Sequence, residues 1–395
     1  MIGGLLYHAW DLASPSQLWM RRMLDHVSDG VVGVADRAPP PKPYDRLRYY
    51  PVLADSPWRA RLLRLTRGKR EVWHALRRPS PRLLRNALRP ASAALVHFLN
   101  VALNCPDPLI DFARKGGRLF VHLHGIDVTW DARKADGSRV HPDDYLDSAL
   151  AFSRHATLIA NSNFTRGRLV DRGFDAGRIV VKPLGVEVPP EPLARPPHDG
   201  PLRLLYLGRL IDFKGPDLTL QAFRIAVDRG LDARLTFAGD GPMRPEMEAA
   251  LAEWNGRDRV RFLGSVDAAT GIRLRREADA MVAHNQRGPT GGQEEAFGVS
   301  YVEAMADALP VVTGGSGALA ETVGVTGDDL PPGGVLVEPG DVEGQADALL
   351  ALARDHALRT DLGRAGHARA ATRYTLTRER ITLRALLGWK APCQP

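Results

Sequence analysis

Cysteine is almost missing from the sequence: Cys105 and Cys393 are the two in 395 residues. So few, and so far apart, they exclude a disulfide framework and a cysteine-rich zinc site, and a reducing compartment is expected. Long hydrophobic runs are missing too. No stretch approaches the roughly 20 apolar residues of a membrane span. The opening residues, MIGGLLYHAWDLASPS, have no basic segment ahead of their short apolar run. They read as a first strand and not as a signal peptide. Aromatic residues make up only 7%. They do not interleave with basic residues at a stacking spacing, which excludes nucleic acid as the partner. No internal repeat is visible.

What is present suits a globular α/β protein, with 44% hydrophobic and 25% charged residues. The length calls for two domains of about 150–200 residues. Six prolines fall within 188–201, VPPEPLARPPHDGP, and neither a helix nor a central strand continues through such a segment. It is the natural linker. On either side, short apolar runs alternate with segments of helical period. The first half has runs at Leu5–Ala9, Val31–Ala35, Ala94–Leu99, Leu119–Leu123 and Thr157–Ala160. The second has them at Arg203–Leu207, Arg234–Ala238, Val260–Leu263, Ala280–Ala283, Pro310–Thr313 and Val335–Val337. Unbroken apolar runs of this length suit parallel strands buried on both faces. Helical patterns at Pro216–Arg229 and Val299–Asp307 complete βαβ units. Beyond about residue 343 the pattern is helical. Two such sheets leave a cleft between their carboxyl ends, where open α/β sheets bind ligands.

The formal charge of +7 is uneven. From Pro57 to Arg89 eleven Lys and Arg stand against one acid, Glu71, with Leu, Trp and Val between them at near-helical spacing. This segment reads as a solvated basic face, as a surface for an anionic membrane, or as a grip for an anionic acceptor.

In the second half, an apolar strand ends at Gly208, followed by Arg209, Lys214, Gly215 and a helix near Pro216. Two cations at a strand end suit a diphosphate, each charge-assisted bond being worth roughly 1.5–3 kcal/mol. Further on, GGQEEAFGVSYVEAMADALPVV places Glu295 and Glu303 eight residues apart. A helix starting near Gly298 or Val299 carries Glu303 just over one turn in and leaves Glu295 in the preceding loop. The amides of Phe297, Gly298 and Val299 are then unpaired first-turn donors for a phosphate or a sugar hydroxyl. Carboxylates accept from vicinal hydroxyls. Each feature by itself also fits a charged, solvated helix start.

In the first half, GGRLFVHLHGIDVTW sets His122 and His124 at the end of an apolar strand, ahead of Gly125 and Asp127. His124 is expected at the cleft with His122 buried behind it. Asp127 is expected to orient neighbours or bind acceptor. Ala160-Asn161-Ser162-Asn163 follows another strand, and Ser162 or Asn161 is first an N-cap and second a cleft residue.

In one order, G-R-x4-K-G, A-G-D-G-P at Ala238–Pro242, F-L-G at Phe262–Gly264, E-x7-E and A-x-P-V-V resemble the retaining glycosyltransferase family 4. H-G-x-D and A-N-S in the first half match it too. The resemblance spans about residues 118–375 and is strongest from Leu204 to Glu321. It implies the GT-B fold: two Rossmann-like α/β parallel-sheet domains facing across a cleft, with C-terminal helices packing back on the first. The expected domains are 1–190 on the acceptor side, 191–370 for the nucleotide-sugar donor, and 371–395 as the returning helix. By the same resemblance Gly208, Arg209 and Lys214 hold the donor diphosphate. Glu295 binds donor-sugar hydroxyls, the backbone at Phe297, Gly298 and Val299 meets sugar and phosphate, and Glu303 binds ribose. Ser265 and Val266 lie near the base, and His124 contacts the sugar or its developing charge. Ala296 and Leu309 stand where the family commonly has glycine. The loop DLASPSQLW lacks the usual Gly-Gly turn, so no acceptor contact carries over to residues 1–90.

The implied reaction moves a sugar, with retention, from a UDP- or GDP-linked donor to an acceptor hydroxyl. No cofactor or metal is expected, and no D-x-D triplet, with which metal-dependent transferases hold Mn2+ or Mg2+, occurs in the chain. A lipid-linked or polysaccharide acceptor, at the cytoplasmic face of a membrane, is the first expectation. The alternatives are a small soluble acceptor, a sugar-nucleotide epimerase, and a non-catalytic binding partner.

Overall fold

The computed structural model describes residues 4–9, 12, 18–36, 39–51, 80–134, 137–324 and 329–389. Two parallel sheets organise it. The first contains β1 (Gly4–His8), β2 (Val31–Asp36), β3 (Tyr49–Pro51), β4 (Ala91–His97), β5 (Arg118–His122), β6 (Thr157–Ala160) and β7 (Ile179–Val181), in the order β3-β2-β1-β4-β5-β6-β7. The second contains β8 (Leu202–Leu207), β9 (Ala233–Ala238), β10 (Val260–Gly264), β11 (Ala280–Val282), β12 (Val311–Gly314) and β13 (Gly334–Val337), in the order β10-β9-β8-β11-β12-β13. Every strand pair is parallel.

The strand chemistry explains the arrangement. Central strands such as β4 and β5 are buried along nearly their whole length, because helices cover both faces of a parallel sheet. Two strands had no signal in the apolar pattern, β3 and β7. Each is three residues long and each lies at an edge of the first sheet. Pro51 ends β3, which an edge strand tolerates because its amide is not needed for a further ladder.

Strand order reverses between β1 and β4 in one sheet and between β8 and β11 in the other. At such switch points neighbouring loops diverge and open a crevice at the carboxyl ends. The helix α1 (Leu18–Val27) follows β1, and Phe98 follows β4. Gly208 and Arg209 follow β8, and His284 follows β11. The candidate residues therefore gather at the two crevices.

The proline-rich stretch 188–201 carries no helix or strand. Arg195 fastens it to the second domain, its guanidinium donating to the carbonyls of Arg275, Asp307 and Ala308 at 2.9–3.1 Å. Chain end and chain start then meet. The helix α5 (Leu376–Leu386), reached through α4 (His356–Arg373), packs on α1. Lys182 and His26 both engage Glu379 within this contact, and Arg384 pairs with Asp29 at 2.7 Å. Of the basic segment, residues 57–79 lie outside the described residues. Its last part forms the helix Pro81–Leu88, with Leu84, Ala87 and Leu88 buried and Arg82 and Arg85 exposed. Cys105 is a free, buried thiol, and Cys393 lies outside the described residues.

Candidate active site

The residues expected on the donor side are built on close backbone crossings. Gly239 has φ 152°, and a side chain there would collide with the Gly208 carbonyl. This pins the turn after β8. Arg209 leaves the turn exposed to solvent. A single 3-10 turn, Asp212–Lys214, ends at Gly215, whose left-handed φ of 50° a side-chain-bearing residue adopts only with strain. Lys214 is thereby aimed across the crevice. Its Nζ lies 2.6 Å from Glu295 Oε2, and each side chain is only 14% exposed.

Burial by itself would raise the Glu295 pKa. The Lys214 ammonium, the Phe297 amide and the Arg209 charge outweigh it and hold the carboxyl below its usual value. Glu295 is therefore an anion, and it accepts hydrogen bonds only. Just beyond it, Gly298 caps α3 (Val299–Ala306) with φ 84°. A Cβ there would meet Tyr301 at 2.7 Å and Leu319 at 2.8 Å. Phe297 is buried edge-on to Tyr374, and its carbonyl accepts from Thr322 at 2.8 Å. Glu303 lies just over one turn into α3. Arg275 of the helix Ala268–Glu277 reaches its Oε2 at 3.1 Å, and Arg22 of α1 reaches its Oε1 at 3.1 Å.

Ser265 and Val266 stand apart from this group. They follow β10, the edge strand two places from β8, and Ser265 is exposed while Val266 is half-buried.

From the first domain, β5 stops at His122 and the chain turns at His124. His124 is half-buried and Gly125 abuts the Glu294–Ala296 loop: a Cβ on Gly125 would stand 3.3 Å from the Ala296 Cβ. The glycine missing after Glu295 is thus offset by one directly across the interface. Asp127 does not line the cleft. It is fully buried, and its carboxylate accepts from the amides of Leu99 at 3.0 Å, Asn100 at 3.3 Å and His124 at 2.9 Å. Burial raises its pKa to about 7 against the opposing pull of those three amides. It braces the His124 turn, and its side chain does not reach the surface of the cleft. Ser162 caps α2 (Asn163–Val170), accepting from the Thr165 amide. Its hydroxyl also donates across the domains to the Ala296 carbonyl at 2.6 Å. Glu321 reinforces that clasp by accepting from the Asn163 amide at 2.8 Å.

Arg22, Arg275 and Trp19 belong to the site without any motif to announce them. Trp19 rests 4.2 Å from the His124 ring, centroid to centroid, and Phe98 rests 4.5 Å from it. The only sequence signal was positional, since Trp19 and Arg22 share a face of α1. An interdomain cavity of about 580 Å³, lined among others by Asn163, Gly185, Glu321, Arg373 and Thr375, includes none of the expected donor residues. Across the expected site, the Arg22–Glu303 ion pair joins the two domains, and Lys214 pairs with Glu295 within the second.

Two facing parallel-sheet domains with a site at their switch points define the GT-B fold class. Residues 194–369 match the family described as glycosyl transferases group 1. The chain is 27% identical over 270 residues to the amylovoran biosynthesis glycosyltransferase AmsK of Erwinia amylovora, covering 68% of this chain and 62% of that one. It is 31% identical over 178 residues to a GDP-mannose-dependent monoacylated alpha-(1-6)-phosphatidylinositol monomannoside mannosyltransferase of Corynebacterium glutamicum, 44% of each chain. It thus spans 62% and 44% of these curated relatives' lengths. The fold of Anabaena HepE, solved in complex with UDP-glucose, superimposes with a TM-score of 0.70 at 17% identity, over 98% of this chain and 99% of that one. No helix among the described residues is long and apolar enough to cross a membrane.

Proposed function

We propose that the protein is a retaining glycosyltransferase that moves a sugar from a nucleoside diphosphate sugar to the hydroxyl of a glycan or lipid-linked acceptor. The observation that carries this reading is the convergence of Lys214, Glu295 and the Gly298 helix start at one switch point, 81 residues of chain separating the first two. A cation for phosphate, an anion for sugar hydroxyls and the amides of a helix start are the parts a nucleotide sugar needs.

In this reading Arg209 and Lys214 take the diphosphate. As the glycosidic bond breaks, negative charge grows on the leaving phosphate, and fixed cations and helix-start amides stabilise it without reorganisation. No divalent ion is required at that step. Glu295, released from Lys214 as the phosphate takes over the ammonium, accepts donor-sugar hydroxyls. Glu303 accepts from the ribose, Ser265 and Val266 border the base, and His124 lines the sugar from the opposite domain. The acceptor attacks from the face the leaving group vacates, its proton passing to a phosphate oxygen.

The relatives' names support both a UDP- and a GDP-linked donor, and they support an envelope or lipid-linked acceptor. The exposed Arg82 and Arg85 suit an anionic membrane surface at the cytoplasmic face. Thermal-shift and calorimetric screening of nucleotide sugars tests the donor, since a specific ligand stabilises the fold by mass action. Arg209→Ala and Glu303→Ala are expected to lose that binding. Full donor turnover by either variant would sink the assignment. Turnover of donor alone into an isomer of equal mass would identify an epimerase instead.

A further inference from the structure

Behind the cleft wall three imidazoles converge. His97 ends β4 and His122 ends β5, and the two are register partners on neighbouring strands, so their side chains leave the same face of the sheet. His124 follows two residues on. One ring nitrogen from each of the three lies within 4.8 Å of the others. His97 and His122 are wholly buried. Neither nitrogen of His97 has a hydrogen-bond partner, nor has Nε2 of His122. His122 Nδ1 and His124 Nε2 face one another at 3.0 Å.

Buried polar nitrogens left unpaired cost about 1–3 kcal/mol each, so a cluster of them calls for an occupant. The chemistry of the donor set narrows it. Three imidazoles with no carboxylate among them suit a borderline cation and not Mg2+ or Ca2+. The nearby Lys182 ammonium would oppose a cation, but Glu379 neutralises it.

We propose that His97, His122 and His124 form a binding site for a divalent transition-metal ion of the zinc class, set behind the cleft wall and apart from the donor diphosphate. Zinc–nitrogen bonds of about 2.0–2.1 Å are reached by side-chain shifts of under about 1 Å. The Asp127 carboxylate accepts from the His124 amide at 2.9 Å and so fixes the turn that carries the third ring. Trp19 lies 4.2–5.7 Å from the three imidazole centroids and covers the cluster. The ion stiffens the ends of β4 and β5 and fixes the His124 ring, the part of this wall nearest the second domain.

The test uses the full chain, stripped with a chelator and titrated with Zn2+ against a chromogenic indicator, and with Co2+ followed by its visible ligand-field bands. One saturable equivalent per chain with tetrahedral-type Co2+ bands is expected. His97→Gln and His122→Gln should each weaken binding by at least about 100-fold. His155→Gln, outside the cluster, should leave it unchanged. Absence of a saturable equivalent in the folded wild-type chain overturns the proposal and leaves a water-filled cluster. Equal binding by wild type and both variants overturns it as well. Circular dichroism melts in chelator establish that the variants are folded. None of these readouts depends on sugar transfer, so the metal site and the glycosyltransferase reading stand or fall separately.

Discussion

Arg22 of the first domain and Glu303 of the second form an ion pair across the cleft, Nη1 to Oε1 at 3.1 Å. The pair holds the carboxylate that the proposed donor's ribose requires, so ribose and Arg22 compete for Glu303. The two side chains are 17% and 18% exposed, and a screened pair of this kind is worth about 0.5–1 kcal/mol. Arg22→Ala should therefore bind UDP or GDP about two- to fivefold more tightly by calorimetry. Weaker binding would make Arg22 a ligand of the nucleotide and not its competitor.

Lys214 is the nearest counter-charge of Glu295. Its removal should cut donor kcat/KM by about 100-fold or more, the usual loss for a fixed group that stabilises developing charge. Glu295 would also lose the largest influence holding its pKa down, so residual activity in Lys214→Ala should fall away at a higher pH than in wild type as the carboxyl protonates. An unshifted acid limb would separate Glu295 from the reaction.

Ser162 serves two elements, capping α2 and donating to the Ala296 carbonyl of the other domain. Ser162→Ala should cost about 1–2 kcal/mol and lower the thermal midpoint by a few degrees. Because the lost bond holds the Glu295 loop, donor affinity should fall along with stability. A stability loss with unchanged affinity would confine Ser162 to the cap.

Glu379 is buried between Lys182 and His26 where the last helix meets the first domain. Burial alone would raise its pKa, but the Lys182 charge and the hydrogen bonds from His26 and Lys182 bring it below the usual glutamate value. A carboxyl depressed on folding stabilises the protein fully above that value, and the contribution is lost as pH falls through the lower folded pKa. Wild type should lose stability steeply below about pH 4.5. Glu379→Gln should be less stable at neutral pH, with the difference shrinking as pH falls. Denaturant midpoints at a series of pH values measure this; a constant difference would remove the ionised carboxylate from the account.

Much of this architecture could be read before any coordinates. Runs such as Thr157–Ala160 and Pro310–Thr313 are apolar because both their faces are covered, and that condition is written locally. The short edge strands Tyr49–Pro51 and Ile179–Val181 escaped because three residues carry no period. The candidate donor residues stand out in the sequence because glycine marks backbone crossings: Gly298 at α3 and Gly215 beside Lys214 are fixed by chain geometry. Asp127 was harder. A carboxylate after a strand looks the same whether it faces a ligand or three amides, and burial decides between them.

The sequence by itself determined the two parallel sheets, the proline linker between them and the residue types that suit a phosphate and a sugar. These follow from spacing within short segments, where each residue's neighbours are its neighbours in the chain. Only the tertiary structure decided that Arg22 meets Glu303, that Gly125 faces Ala296, and that His97 joins His122 and His124. These contacts join residues 281, 171 and 25 positions apart (Arg22 to Glu303, Gly125 to Ala296, His97 to His122). They exist because two switch points face each other and because β4 lies beside β5, and no local pattern records which strand ends a fold will bring together.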